Sequence, residues 1–229
     1  MPGRSSVGRA VARGLSIAVD IALFSPRANQ LAVLLVADAA RGRRERWALP
    51  ADFLRSGESL DEAASRIARD SLGAAPSLLE QAITLGGARG TGEDGSIHVA
   101  YCGLAPDGGA APGGPAWTSI AEIPPLPARQ REEIDAALAE MRAHVDLEPI
   151  AFRLLPLSFT LTELQSVYEL LLGRRLHKAS FRRALHASAL VEAIDEWRSE
   201  GRGRPAQLFR YEPPRRKRQR RGVRFDLLA

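Results

Sequence analysis

Apolar residues change their spacing several times along the chain, and each spacing selects a kind of element. Over residues 15–24, Ile17, Val19, Ile21 and Leu23 alternate with other side chains, the period of an extended strand. Ser25-Pro26 then predicts a turn, and residues 31–36 predict a buried strand completing a hairpin. Residues 47–54 read as a short strand or strand-like loop. From Ser59 the spacing lengthens: Leu60, Ala63, Ala64, Ile67, Ala68 and Leu72 fall on one helical face. Ser59 and Glu62 form a capping-box pattern at its start, and Gly73 is placed to end it. Arg66, Arg69 and Asp70 lie off that stripe. Strands are predicted at residues 82–85 and 98–104, and residues 106–115 form a Gly/Ala/Pro-rich loop. A helix over residues 128–145 follows, with Ile134, Leu138, Met141 and His144 or Val145 on one face. That face suits plain packing or a dimer contact.

Pro149 and Pro156 interrupt any longer helix, so a domain boundary is expected between residues 145 and 158. Two cores are then possible. Beyond the boundary Leu161, Leu164, Tyr168 and Leu171 mark a helix stopped by Gly173. A second helix starts near Lys178. Its apolar stripe of Phe181, Ala184 and Leu185 is narrow, whereas Lys178, Arg182, Arg183 and His186 fill the other side. Residues 190–194 and 206–211 predict a hairpin whose tip carries Gly201, Arg202, Gly203 and Arg204. Two helices followed by such a hairpin are the layout of a winged helix, whose recognition helix packs by one face and offers the other to the major groove. The candidate DNA contacts are Lys178, Ser180, Arg182, Arg183 and His186 on the helix, and Arg202 and Arg204 on the wing. A solvated basic turn is the plainer account of the wing tip.

Charge sharpens this division. After residue 150 lie 17 of the 32 Lys+Arg but only 8 of the 27 Asp+Glu, so the first 150 residues carry a net −4 and the remainder +9. A polyanionic partner is therefore expected at the C-terminal half. Nearly all the cations are Arg, suited to bidentate phosphate and guanine contacts, although a GC-rich genome gives the same bias. The basic run Arg215 to Arg221 should add salt-dependent affinity without sequence preference. A single cysteine, Cys102, excludes an internal disulfide, and four scattered histidines show no metal-ligand spacing. No apolar run approaches a membrane span, and a cytoplasmic, nucleoid-associated protein is expected.

Leu49-Pro50-Ala51-Asp52-Phe53-Leu54, then Gly57-Glu58-Ser59-Leu60-Asp61-Glu62-Ala63-Ala64, Arg66 and Gly73, resemble a Nudix box. Glu58, Arg66 and Gly73 fall in register, while Asp52 replaces the leading Gly. The glutamates that hold Mg²⁺ in Nudix hydrolases fall on Ile67, Asp70 and Ser71. Mg²⁺ requires near-octahedral oxygen ligation, which Ile67 cannot supply, so no metal site and no pyrophosphate hydrolysis are expected. A hydrolase of nucleoside diphosphate derivatives with an accessory nucleic-acid-binding domain is the rival reading. The scaffold can still hold a nucleotide, with Trp47, Phe53, Glu58, Arg66 and Asp70 as candidate ligand contacts. Alternatively Glu58 and Arg66 form an internal salt bridge and Trp47 is core.

Phe159-Thr160-Leu161-Thr162-Glu163-Leu164-Gln165, with Tyr168-Glu169, Gly173-Arg174, Phe181-Arg182-Arg183 and Gly203-Arg204-Pro205-Ala206, resembles the C-terminal domain of the Nudix-related transcriptional regulators, the NrtR family. His177 departs from the acidic or capping residue expected before the second helix. The resemblance implies an α+β chain: a basic arm (1–14), a Nudix-like α/β/α sandwich with a mixed sheet (15–147), a winged helix-turn-helix domain (148–212) and a basic tail (213–229). It also implies a homodimer on a palindromic double-stranded DNA operator, repression of NAD metabolism, and ADP-ribose or a related nucleotide as effector with no cofactor. An RNA-binding or protein-docking role for the winged helix stays open on the residues alone.

Overall fold

The computed structural model describes residues 16–37, 47–86, 96–106, 116–145, 148–199 and 205–213. The basic arm, Arg202, Arg204 and the basic run after Pro213 lie outside these residues. Strand β1 (Ile17–Arg27) is buried at eight successive positions, because both faces of the sheet are covered. Val19, Ile21 and Leu23 pack with Ala63, Ala64, Ile67 and Ala68 of α1 (Leu60–Leu72). Ala22 and Phe24 face the other way, into a cluster with Ile134, Ala137 and Met141 of α2 (Ala128–Val145). Helix, sheet and helix thus form three layers.

The strands between these helices form a mixed sheet. β1 and β2 (Gln30–Ala37) are a hairpin closed by Ala28 and Asn29, with φ of 44° and 63°. Two left-handed residues match a tight turn to the twist of its strands. The reversal is therefore not at Ser25-Pro26, as the sequence suggested. Pro26 pairs with Leu31, one step from the turn, where an antiparallel ladder needs no N–H from it. The stretch after Trp47 divides at Pro50 into β3 (Trp47–Ala48), which extends the sheet beside β2, and β4 (Ala51–Phe53), which pairs with the start of β1.

Ser59 and Glu62 cap α1 reciprocally, and Gly73 ends it at φ 71°. β5 (Leu78–Leu85) begins four residues before the expected strand, since Glu80 and Gln81 on this edge strand mask the apolar pattern. β6 (Ile97–Leu104) runs parallel to β1, and β7 (Ala116–Ser119), too short to show in the sequence, pairs with β2. The main path of the sheet is β3-β2-β1-β6-β5.

Within the expected boundary region after α2, a 3-10 turn (Ile150–Leu154) buries Ile150, Ala151, Phe152 and Leu154. α3 (Leu161–Leu172), α4 (Lys178–Ser188), β8 (Val191–Arg198) and β9 (Ala206–Tyr211) complete a helix pair with a hairpin. β8 continues past the residues 190–194 suggested by the sequence. Thr160 and Glu163 give α3 a second capping box, and Phe159 exchanges backbone hydrogen bonds of 3.0 and 2.8 Å with Phe209 of β9. Phe152 meets Tyr168 edge-on at 6.3 Å, and Tyr168 meets Phe181 of α4 at 5.7 Å. These aromatics belong to the same apolar cluster as the α2 side of the sheet. The two main clusters are therefore the two sides of one sheet, and the C-terminal elements share one of them.

Candidate functional site

The loop before α1 is held by a fork. Arg66 Nε and Nη2 donate to Glu58 at 2.8 and 2.9 Å, and Arg66 Nη1 donates to Asp52 at 2.6 Å. The backbone N–H of Arg55 adds a bond to Glu58 at 3.1 Å. The hydrogen bonds from Arg66 bring the Glu58 carboxyl down to about 2, and the same partners raise the Arg66 guanidinium. Glu58 and Arg66 thus bind one another and fix the loop to the helix. The three positions that would supply carboxylates do not fit a magnesium ion. Ile67 is buried against β1, Ser71 Oγ donates to Ile67 O at 2.8 Å, and Asp70 alone offers a carboxylate, on an exposed position.

Beside this loop, on the α2 side of the sheet, is a cavity of about 470 Å³ bounded by β1, β2, β4, β6 and the start of α2. Asp20, Asp52, Phe53, His98, Arg129 and Gln130 line it, with small and aliphatic residues between them. Phe53 is half exposed there. Trp47 packs instead against the apolar cluster on this side of the sheet, and Glu58, Arg66 and Asp70 are not among the lining residues.

An ionic cluster that the sequence did not reveal forms the floor. Asp20 is 1% exposed on a central strand, and its Oδ2 lies 2.9 Å from His98 Nδ1 and 3.2 Å from Arg129 Nη1. Arg129 also bonds Glu133, which is fully buried one turn along α2. Gln130 Oε1 accepts from Leu49 N at 3.2 Å, tying α2 to the strand junction. Burial, reinforced by the Asp20 charge, raises the Glu133 carboxyl. The histidines that looked scattered therefore include one in an acidic cluster: ligand atoms of Asp20, His98 and Glu133 lie within 4.8 Å of one another. The parallel register of β1 and β6 sets Ala18 beside His98, a proximity that local spacing does not encode. The available signal was Asp20 itself, the one charge in the apolar run from Ile17 to Phe24.

The second candidate site is the outer face of α4. Phe181 and Leu185 are buried, and Lys178, Arg182, Arg183 and His186 are exposed on a helix without Asp or Glu. Ser180 is half-buried, with its Oγ 3.3 Å from His177 Nδ1. His177 occupies the N-cap position and makes no side-chain cap bond. The turn before α4 is organised by Glu169, which accepts from Leu176 N at 2.9 Å, from Gln165 at 2.9 Å and from Arg175 at 2.8 Å. In the hairpin, Arg198 pairs with Glu163 of α3 at 2.7 Å, and Arg210 with Glu192 at 2.6 Å. The first pair fixes the hairpin to α3 and the second joins its two strands, while the α4 cations face outward.

Residues 151–211 match the family model of the NrtR DNA-binding winged helix domain. The chain is 30% identical over 202 residues to the ADPR responsive transcriptional repressor NtrR of Acinetobacter baylyi, covering 84% of this chain and 80% of that protein. The crystal structure of Shewanella oneidensis NrtR complexed with a 27mer DNA superposes with a TM-score of 0.73 at 28% identity, covering 86% of this chain and 94% of that one. A MutT/nudix family protein from Enterococcus faecalis has the same fold, with a TM-score of 0.69 at 20% identity over 88% of this chain and 89% of that one.

Proposed function

Because the chain belongs to the NrtR family of Nudix-related transcriptional regulators, we propose that it is an ADP-ribose-responsive repressor of NAD-metabolism genes. Residues 148–212 bind the operator and residues 15–147 hold the effector. The observation that carries this reading is α4, whose apolar face is locked to α3 by Phe181 while its acid-free outer face presents Lys178, Arg182, Arg183 and His186. A helix so divided suits the major groove, with Arg fitted to guanine edges and phosphates. Arg202 and Arg204 extend the grip from the wing to the DNA backbone. In a homodimer, two such helices would meet successive half-sites roughly 34 Å apart on a palindrome.

The effector role is supported by the cavity beside the former hydrolase loop, which has the size of a small-ligand site. Phe53 offers a face for a base, and Glu58 and Arg66 act through the loop they hold together. Trp47, packed against the apolar cluster, and Asp70, on α1 across the sheet, do not line this cavity, and no effector contact is assigned to them. With Ile67 and Ser71 in place of carboxylates, the effector is held without metal-assisted hydrolysis. Helix α2 supplies a route between the sites. Arg129 and Gln130 at its start line the cavity, and Arg142 near its end donates to Leu171 O of α3 at 3.3 Å. The span from Arg129 to Arg142 is roughly 20 Å of helix, so a tilt set at the cavity reaches α3. A coupling of about 1 to 3 kcal/mol would change DNA affinity roughly 5- to 150-fold.

The test is a mobility-shift titration of the full chain on DNA from upstream of its own gene, with and without ADP-ribose. A specific shift that ADP-ribose reverses is expected. Absence of any sequence-specific shift would overturn the repressor reading.

A further inference from the structure

Buried carboxylate oxygens are nearly always hydrogen-bonded, so an unpartnered one asks for a reason. Among the described residues, Asp20 Oδ1 and Glu133 Oε2 are both buried without a hydrogen-bond partner. They belong to one cluster, joined through Arg129, and Asp20 lines the cavity. The other oxygen of each carboxylate is already occupied by Arg129, with His98 also on Asp20.

We propose that this floor is an acceptor site in which Asp20 Oδ1, supported by Glu133, takes a hydrogen bond from a hydroxyl or amine on the uncharged end of the effector. The proposal rests on the cavity being the effector site. Three observations select a neutral donor. The cavity, about 470 Å³, holds a sugar or base. Arg129 is the cation of the cluster and is engaged by two carboxylates, so a phosphate placed on the floor would meet the Asp20 carboxylate rather than a free cation. A metal ion drawn to Asp20, His98 and Glu133 would have to displace the Arg129 guanidinium that bridges two of them, whereas a hydroxyl or amine needs only the free oxygen.

Calorimetric titration of the full chain tests this with four probes: ADP-ribose, a ribose-deoxy analogue of ADP-ribose, its hypoxanthine analogue, and ADP. Asp20→Asn is expected to weaken ADP-ribose by about tenfold or more, the scale of a hydrogen bond to a charged acceptor. It should also erase the wild-type preference over one analogue: the deoxy compound if the donor is a hydroxyl, the hypoxanthine compound if it is the amine. Glu133→Gln should weaken ADP-ribose in the same sense, and it carries the test if Asp20→Asn does not fold. Wild-type binding with undiminished affinity and unchanged selectivity in the folded variants overturns the acceptor floor alone. An equal loss for all four probes overturns it too. A wild-type chain that binds no ADP-ribose overturns the effector reading itself, and the floor with it.

Discussion

Gly173 ends α3 at φ 69°, and a Cβ there would sit 2.8 Å from Arg142 Nη2. Gly173→Ala therefore meets two costs. A non-glycine residue in the left-handed region loses about 1 to 2 kcal/mol. The displaced Arg142 gives up its 3.3 Å bond to Leu171 O, worth about 0.5 to 1.5 kcal/mol. The combined loss, roughly 1.5 to 3.5 kcal/mol, would lower the melting temperature by about 3 to 14 °C for a chain of this size. In an Arg142→Met background the clash and the bond are gone, so Gly173→Ala should cost only about 1 to 2 kcal/mol. Thermal melts of the four proteins measure that difference. The same set tests α2 as the link between sites. Arg142→Met should bind ADP-ribose with wild-type affinity in calorimetry and bind operator DNA normally, yet lose most of the effect of ADP-ribose on DNA affinity. If ADP-ribose still releases DNA from Arg142→Met by the wild-type factor, α2 is not the conduit.

Other consequences are equally direct. Arg182→Ala and Arg183→Ala should each cost about 1 to 3 kcal/mol of operator binding and relax specificity, whereas Arg202→Ala and Arg204→Ala should each reduce the salt slope by about 1; equilibrium binding at several salt concentrations separates the two classes. Glu58 titrates at about 2 rather than its ordinary 4.5. Its depressed value means that its stabilisation is present above pH 4.5 and is lost as pH falls toward 2. Glu58→Gln should flatten that acid limb in urea melts, and an unchanged limb would count against the fork as a stabilising element. Finally, ADP-ribose affinity should be equal with magnesium and with a chelator, and chromatography of the incubated ligand should show no cleavage. Magnesium-dependent product formation would restore the hydrolase reading.

What the sequence carried by itself is local. Ser59 with Glu62, and Gly73 and Gly173 past the last apolar residue, bracket α1 and end α3, because caps act over three or four residues of backbone. The helical spacing of Ile134, Leu138, Met141 and His144 or Val145 marked α2, although the structure buries Ala137 rather than Leu138 on that face, and the division of α4 into apolar and basic faces marked the helix proposed to face DNA. The substitution of Ile67 and Ser71 for carboxylates needed no coordinates either, since a side chain without a suitable oxygen is read from its identity.

What only the tertiary structure decided is non-local. The hairpin turned at Ala28-Asn29 because the ladder register, and not the nearest proline, places the reversal. Thr160 and Glu163 had the spacing of a cap, but their role became visible only with the start of α3 fixed. The cavity floor draws on β1, β6 and α2, and Asp20, His98 and Glu133 stand 78 and 35 positions apart along the chain. A parallel strand pair and a helix laid across it bring them within hydrogen-bond reach. Burial then gives those charges their chemistry, because an unpartnered oxygen is a neutral fact in water and a demand for a ligand in a dry interior.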